Sequence, residues 1–182
     1  MRKVILNVAM SLDGLIEGPN GEYDWCFADQ ACLPEGSSAR RQDYGMTEFL
    51  ARIDAIFYGR RSYEVMMRDG NGKNPFGAKQ SFVFSSTLPA SVEYALINKQ
   101  WSKQVREIKR ANGKDIWLFG GAALTQNLLE ENLVDELLLA VHPIVLGRGK
   151  PMFSDLTNRQ SLTLLNSQVY STGLVSLHYQ LK

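Results

Sequence analysis

Three short segments combine glycine, hydroxyl and basic residues in a way that suits anion binding. Residues 59–62 are GRRS, residues 85–87 are SST and residues 120–121 are GG, and each segment follows an apolar run. Where a strand turns into a helix, the first helical N–H groups have no partner inside the helix and lie at the positive end of its dipole. The two glycine-containing turns therefore suit a phosphate group.

Each segment also has a structural interpretation. The spacing G-x-G-x-x-G is absent around Gly120 and Gly121, so this pair by itself is more typical of a tight turn. Arg60 and Arg61 stand at the positive end of the helix dipole, which does not favour a cation. They are equally consistent with a bound anion and with a merely solvated helix end. Three hydroxyls after a strand are typical of a turn. Taken together, three such turns at strand ends predict a dinucleotide, whose phosphates are separated in space.

Acid and base candidates are few. Asp13, Glu17 and Asp24 follow the first apolar run, although an aspartate in the sequence LDG is by default a turn residue. His142 and His178 lie on strand-like segments far from any cysteine, which favours structural roles. Asp13 is the preferred candidate for acid–base work.

Metal and nucleotide-loop motifs are missing from the sequence. Cys26 and Cys32 form no C-x-x-C pair and have no histidine at ligand spacing, so no metal site is predicted. The segment GRGKP at 147–151 lacks the full P-loop pattern and is interpreted as a turn with a basic tip.

Composition predicts one folded domain over residues 1–182. The chain is 45% hydrophobic and 21% charged, and its formal net charge of +1 provides no general attraction for nucleic acid or an anionic membrane. No apolar run reaches the length of a membrane span or of a signal peptide. A cytoplasmic protein that binds a small molecule is expected.

The elements that must position these residues alternate between strand and helix. Apolar and β-branched runs predict strands at 3–10, 54–59, 80–86, 114–121 and 134–147. Periodic apolar positions predict helices at 38–53, 60–67, 101–113 and 122–133. The first strand is expected in the centre of the sheet, whereas Pro143 implies a bend or an edge position. A terminal hairpin at 162–182 completes a mostly parallel α/β sheet with helices on both faces and an antiparallel edge.

The order of these segments resembles the dihydrofolate-reductase-like superfamily. The segments are AMSLDGLIEGPNGEYDW, DAIFYGRRSYEVM, FVFSSTL, IWLFGGAALTQNLL and VDELLLAVHPIVLGRGKPMF. Within that superfamily they are most similar to the reductase domain of the riboflavin-pathway deaminase-reductases, over nearly the whole chain. The resemblance implies a three-layer dihydrofolate-reductase-like fold.

The resemblance also implies NADPH and a pyrimidine or pterin-type substrate, with 5-amino-6-(5-phosphoribosylamino)uracil as the named candidate. It assigns phosphate binding to GRRS and FGGAAL, the adenosine 2′-phosphate to SST, and the nicotinamide wall to VAMSLDGLI. Asp13 would orient or protonate the substrate, with Asp24 and Trp25 beside it. The cofactor-binding residues it implies are Ala9, Ile16, Gly59, Arg60, Arg61, Ser62, Ser85, Ser86, Thr87, Gly120, Gly121, Ala122, Ala123 and Leu124.

Departures from the family pattern leave the substrate open. Phe119 stands where the riboflavin reductase pattern has glutamate, and the H-x-E and P-C-x-x-C ligands of a zinc deaminase are absent, which excludes deamination. No acid clearly matches the pterin-holding residue of folate reductases, and Asp24 is the nearest. Dihydrofolate reductase-type activity and a non-catalytic nucleotide-binding protein of the same fold are the alternatives.

Self-association is a further option. The aromatic residues Trp25, Phe27 and Tyr44 in the loop 20–46 suit either a substrate lid or a homodimer contact. The sheet edge near the C-terminal hairpin is an equally suitable place for a homodimer interface.

Overall fold

The described part of the chain, residues 1–27 and 42–182 of the computed structural model, alternates strands with helices. The strands are β1 (Val4–Ser11), β2 (Leu15–Glu17), β3 (Ile53–Gly59), β4 (Gln80–Phe84), β5 (Ala95–Ile97), β6 (Asp115–Gly120), β7 (Glu136–His142), β8 (Lys150–Pro151), β9 (Leu162–Val169) and β10 (Val175–Leu181). The α-helices are α1 (Met46–Arg52), α2 (Arg60–Asp69), α3 (Trp101–Arg110) and α4 (Ala122–Glu130), and a 3-10 helix spans Asp24–Phe27.

One large sheet carries most of these strands, in the order β5-β4-β3-β6-β1-β7-β10-β9. The first six strands in this order are parallel to one another, and they are β5, β4, β3, β6, β1 and β7. β10 is antiparallel to both β7 and β9. The predicted mostly parallel sheet with an antiparallel C-terminal hairpin is therefore confirmed. Because the carboxyl ends of parallel strands meet at one edge of a sheet, the loops that follow them lie together.

Each face of the sheet has its own helices. On one face Phe49 of α1 and Met66 of α2 pack with Ile5 of β1. On the other face Val105 of α3 and Leu128 of α4 pack in a cluster with further residues of the same strands. Successive strand residues point to opposite faces, so an apolar run such as the start of β1 supplies both cores. The expected three-layer α/β arrangement is confirmed.

The first predicted helix is shorter than expected. Of the predicted range 38–53, residues 38–41 lie outside the described residues, and the helix observed after them begins only at Met46. Gly45 adopts the left-handed conformation with φ 78°, and residues 44–45 form a turn, so residues 42–45 are not part of the helix. Residues 28–41, which include Cys32 and the middle of the predicted loop 20–46, lie outside the described residues.

Pro143 forms a bend at which a strand inside the sheet ends. β7 stops at His142 and lies between β1 and β10 inside the sheet, so of the two predicted alternatives the bend is confirmed and the edge position is not. The strand is shorter than the predicted 134–147. Proline has no N–H to donate to a neighbouring strand, and the chain leaves the sheet where that donor would be needed.

Three short strands were not predicted. β2 and β8 form a separate two-stranded sheet, and β5 extends the large sheet beyond β4. Segments of two or three residues are too short for a periodic pattern, so the sequence provides no signal for them. No helix among the described residues is long and apolar enough to cross a membrane.

Candidate active site

The three segments with anion-suited sequences are neighbours along one edge of the sheet. GRRS follows β3, SST follows β4, and Gly120 ends β6. β3 lies between β4 and β6, so the turn with the two arginines stands between the other two. The sequence placed each segment at a strand end, and the sheet order brings them together.

The turns after β3 and β6 touch through their glycines. A Cβ atom built on Gly59 would lie 3.3 Å from the carbonyl oxygen of Gly120 and 3.4 Å from the nitrogen of Gly121. Gly120 has a φ of +110°, which side chains of L-residues rarely adopt, and the peptide bond between Gly120 and Gly121 is cis. The two turns therefore form one continuous backbone surface without side chains.

Two helices begin at this surface. α2 starts after Gly59 and α4 after Gly121, and neither helix has a side-chain hydrogen bond at its N-cap. Their first N–H groups are thus available to an anion at the positive ends of two dipoles. The hydroxyl oxygen of Ser62 lies 3.2 Å from the Cβ position at Gly121, so it faces the same space. A cradle that a Cβ atom would fill, lined by N–H donors and a hydroxyl, fits a phosphate group.

The two arginines that follow Gly59 are exposed. Arg60 and Arg61 stand at the start of α2, and Nη1 of Arg60 lies 3.5 Å from Oε1 of Glu64. An exposed ion pair of this length contributes little to stability, so it leaves the guanidinium able to change partners.

The three hydroxyls after β4 have different roles. Ser85 accepts hydrogen bonds from the N–H groups of Thr87 at 3.1 Å and Leu88 at 3.0 Å, which close the turn. Ser86 and Thr87 are exposed. Ser85 therefore shapes the loop, and the other two residues are presented to solvent beside the arginine turn.

The middle of β1 is only partly buried, although the strand lies in the centre of the sheet. Its first three residues are fully buried, whereas Asn7 to Met10 are only partly buried. Ala9 pairs with Ala140 of β7, which is partly buried as well, and Ile16 of β2 packs against the adjoining core. Two small side chains next to each other leave space for a flat ring against the sheet.

Asp13 is tied into the loop that follows β7. Its Oδ1 accepts hydrogen bonds from the hydroxyl of Ser11 at 2.7 Å and from the N–H of Leu146 at 3.1 Å, and its Oδ2 accepts from the N–H of Gly147 at 2.8 Å. These donors, Ser11 first, lower the pKa of the Asp13 carboxyl to about 2. The group is therefore ionised near neutral pH and holds two loops together.

Trp25 and Asp24 have different surroundings on the 3-10 helix. Trp25 is buried, and its ring meets that of His142 edge to face with centroids 5.4 Å apart, at the carboxyl end of β7. The Trp25 indole nitrogen is buried and has no hydrogen-bond partner in the described part of the chain. Asp24 is exposed. Of the two, Trp25 is the residue that reaches the edge of the sheet where the candidate site lies.

Phe119, directly before the paired glycines, belongs to an aromatic cluster. Its ring centroid lies 5.1 Å from those of Tyr58 and Trp117 and 5.9 Å from that of Phe76. Aromatic pairs at such distances attract one another by about 0.5–1.5 kcal/mol beyond their burial. Apolar packing therefore occupies the position where the riboflavin reductase pattern has a carboxylate.

Lys150 also lies at the candidate site, although the sequence does not predict it there. Its Nζ lies 3.7 Å from the Cβ position at Gly121 and 3.5 Å from Oε1 of Glu17. The only sequence signal was the basic tip of GRGKP, which follows β7 and is remote along the chain from the turns it meets.

Comparison with known proteins shows the family and the fold of the chain. Residues 2–176 match the family described as the RibD C-terminal domain. The uncharacterized protein YyaP of Bacillus subtilis (strain 168) is 38% identical over 189 residues, covering 98% of this chain and 94% of that protein. The crystal structure of a candidate riboflavin biosynthesis protein from Shewanella sp. PV-4 has a TM-score of 0.82 at 24% identity, covering 100% of this chain and 99% of that one.

A cofactor complex has the same fold. Dihydrofolate reductase from Enterococcus faecalis complexed with NADP(H) and RAB-propyl has a TM-score of 0.65 at 12% identity, covering 99% of this chain and 96% of that one. The chain therefore has the dihydrofolate-reductase-like fold. Within that fold class, the chain belongs to the RibD C-terminal domain family, whose reductase character supports an oxidoreductase.

Proposed function

We propose that the protein is an NADPH-dependent reductase of a pyrimidine or pterin-type substrate. The observation that carries the proposal is the contact of the turns after β3 and β6, where Gly59 approaches Gly120 and Gly121 and two uncapped helices begin. Such an arrangement is suited to a pyrophosphate, which needs donors from more than one turn. The cytoplasm, where NADPH is available, is the proposed location.

Different residues would bind different parts of the cofactor. The N–H groups of Ala122, Ala123 and Leu124 with the hydroxyl of Ser62 would hold the pyrophosphate, and Arg60 and Arg61 with Ser86 and Thr87 would hold the 2′-phosphate. Ala9 and Ile16 would form the wall for the nicotinamide. When bound, NADPH supplies a hydride, and the protein supplies orientation and electrostatics.

The substrate would lie between the partly buried middle of β1 and the 3-10 helix. Trp25 offers a buried aromatic edge there, and Asp13, held ionised, would orient a substrate donor rather than deliver a proton. We propose 5-amino-6-(5-phosphoribosylamino)uracil as the first compound to test. The aromatic packing of Phe119 argues for a substrate held without the carboxylate that the family pattern has at this position.

Titration of the purified protein with NADPH and NADH tests the cofactor. We expect NADPH to bind more tightly, and replacing both Arg60 and Arg61 with alanine should weaken NADPH more than NADH. The charge-matched control is R106A/R110A on α3, which should leave both affinities unchanged. An absence of NADPH binding at high micromolar concentration would refute the cofactor assignment.

Turnover separates the reductase from its alternatives. Loss of NADPH absorbance should accompany reduction of 5-amino-6-(5-phosphoribosylamino)uracil. Turnover of dihydrofolate alone would instead assign dihydrofolate reductase-type activity. NADPH binding without turnover of any pyrimidine, pterin or quinone would assign a nucleotide-binding protein that has no reductase activity.

We also propose a homodimer that forms at the sheet edge of β9. Every residue of β9 is exposed, with Leu164 at 53% and Val169 at 75%, and the strand has no charged residue or proline to protect its edge. A groove lined by Phe153, Leu156 and Leu162 continues this apolar surface. A second copy of the chain would cover both the edge and the groove.

A further inference from the structure

The loop after β7 returns to the start of β2 and is fastened there at several points. The N–H of Leu12 donates to the carbonyl oxygen of Ile144 at 2.8 Å, and the N–H of Met152 donates to that of Gly14 at 2.9 Å. Between these points Asp13 accepts from Leu146 and Gly147. The loop between residues 144 and 152 is thus fixed relative to the turn after β1.

Gly149 brings this loop into backbone contact with β2. It has a φ of +150°, and a Cβ atom there would lie 2.1 Å from the carbonyl oxygen of Glu17, which excludes any side chain. The contact sets the position of the next residue, Lys150, in the strand pair β2 and β8.

Lys150 then reaches across to the helix starts. Its Nζ lies 3.7 Å from the Cβ position at Gly121, on which the hydroxyl of Ser62 also converges at 3.2 Å. A cation, a hydroxyl and the N-terminus of α4 therefore face one small volume. The carboxylate of Glu17 lies 3.5 Å from the ammonium of Lys150 and neutralises part of its charge. Because both side chains are partly exposed, this ion pair is weak.

From this arrangement we infer that Lys150 is the side-chain cation of the pyrophosphate subsite, and that Asp13, besides its proposed role toward the substrate, positions the loop of Lys150 for the cofactor. The inference rests on the proposed function and deepens it, because it separates two phosphate contacts. Lys150 serves the pyrophosphate, which NADPH and NADH share, whereas Arg60 and Arg61 serve the 2′-phosphate, which only NADPH carries.

The test measures the affinities of K150M for NADPH and NADH by titration. Lys150→Met should weaken both cofactors by the same factor of about tenfold, as expected when a charge-assisted hydrogen bond is lost. Lys103→Met, an exposed lysine on α3 changed in the same way, should alter neither affinity. Lys150→Arg keeps the charge and should retain most of the affinity. Such retention would show that the loss in Lys150→Met comes from the missing charge and not from a disturbed fold.

Each outcome of the titration decides one assignment. A loss confined to NADPH would move Lys150 to the 2′-phosphate and overturn the inference. Unchanged affinity for both cofactors would also overturn it, while normal binding by the wild type would leave the proposed function intact. A wild type that binds neither cofactor would refute the proposed function itself.

A double-mutant cycle tests Asp13. In the wild-type background Asp13→Asn should weaken NADPH binding about threefold, whereas in the K150M background it should add no further loss, because the residue acts through Lys150. Equal losses in the two backgrounds would show that Asp13 does not act through Lys150. A residue with a merely structural role would lower the unfolding midpoint without this coupling in affinity.

Discussion

Gly59 is needed for the space around it rather than for its conformation. Its φ is −69°, which every residue adopts, but a Cβ atom would press against the backbone of Gly120 and Gly121. Backbone atoms cannot rotate away as a side chain can, so the two turns would have to separate. The close approach of these turns is what gathers the donors of two helices.

Gly59→Ala should weaken NADPH binding about tenfold and cost about 1–3 kcal/mol of unfolding free energy, since it overpacks this contact. The control is Gly72→Ala, where φ is +78° and no atom lies within 4 Å of the Cβ position. That change strains the backbone and should cost about 1 kcal/mol of unfolding free energy without affecting NADPH. Cofactor titration and urea unfolding of both variants measure this, and equal affinities would contradict it.

Asp13 also predicts a pH dependence of stability. Its pKa is about 2 in the folded protein and about 3.9 in an unfolded chain, so its contribution is complete above the unfolded value and is lost as the pH falls through the folded one. The difference in urea midpoint between wild type and D13N should therefore be constant from about pH 5 to 8 and shrink from about pH 4 to 2. A difference that persists at about pH 2 would contradict this origin.

At the scale of elements, the amino ends of the strands are joined by a carboxylate remote from the site. Glu136 at the start of β7 is buried and contacts Lys3, Arg52 and His178. Lys3 directly precedes β1, Arg52 ends α1, and His178 lies in β10. Burial opposes its ionisation, but hydrogen bonds from Lys3 and His178 outweigh it, so the pKa of the Glu136 carboxyl is lowered. His178 is thus part of a structural cluster.

Glu136→Gln should lower the unfolding free energy by about 1–3 kcal/mol, because the buried group would no longer balance its charged partners. Lys3 and Arg52 are partly exposed, so the loss of unfolding free energy should be smaller than for a fully buried ion pair. Glu64→Gln, which removes an exposed pair on α2, should cost at most about 0.5 kcal/mol. Urea unfolding compares the two, NADPH affinity should be unchanged in E136Q, and an equal loss in both variants would contradict the role of Glu136.

At the scale of the whole molecule, the two edges of the sheet differ. β5 is a short edge strand of three residues, whereas β9 presents eight exposed residues, of which Leu162, Leu164, Leu165 and Val169 are apolar. Short edges are protected from pairing with other chains, and long apolar ones are not. This asymmetry supports association through β9 alone.

Leu164→Glu on β9 should convert the proposed dimer into a monomer, since a charge would be buried in an apolar interface. Sedimentation or light scattering measures the mass. Val92→Glu, at a fully exposed position in the connection before β5, is the control and should keep the mass of the wild type. A wild type that is monomeric at all concentrations tested would refute the dimer.

The sequence predicted most of the strands and helices, because apolar periodicity reports which faces are buried. It also predicted the glycine turns, since a strand that ends in glycine before a helix has few other uses. It left open whether Pro143 marks a bend or an edge, and it failed for β2, β5 and β8, which are too short to carry a pattern.

By itself, then, the sequence determined the order of the elements, the family and the turns suited to an anion. Only the tertiary structure decided that Gly59 meets Gly120 and Gly121, that Asp13 holds the loop after β7, and that Lys150 reaches the same cradle. These contacts join segments far apart in the chain, such as 13 with 147 and 121 with 150. Local patterns report burial and turns, whereas such contacts depend on strand order and on which loops return to the same edge of the sheet.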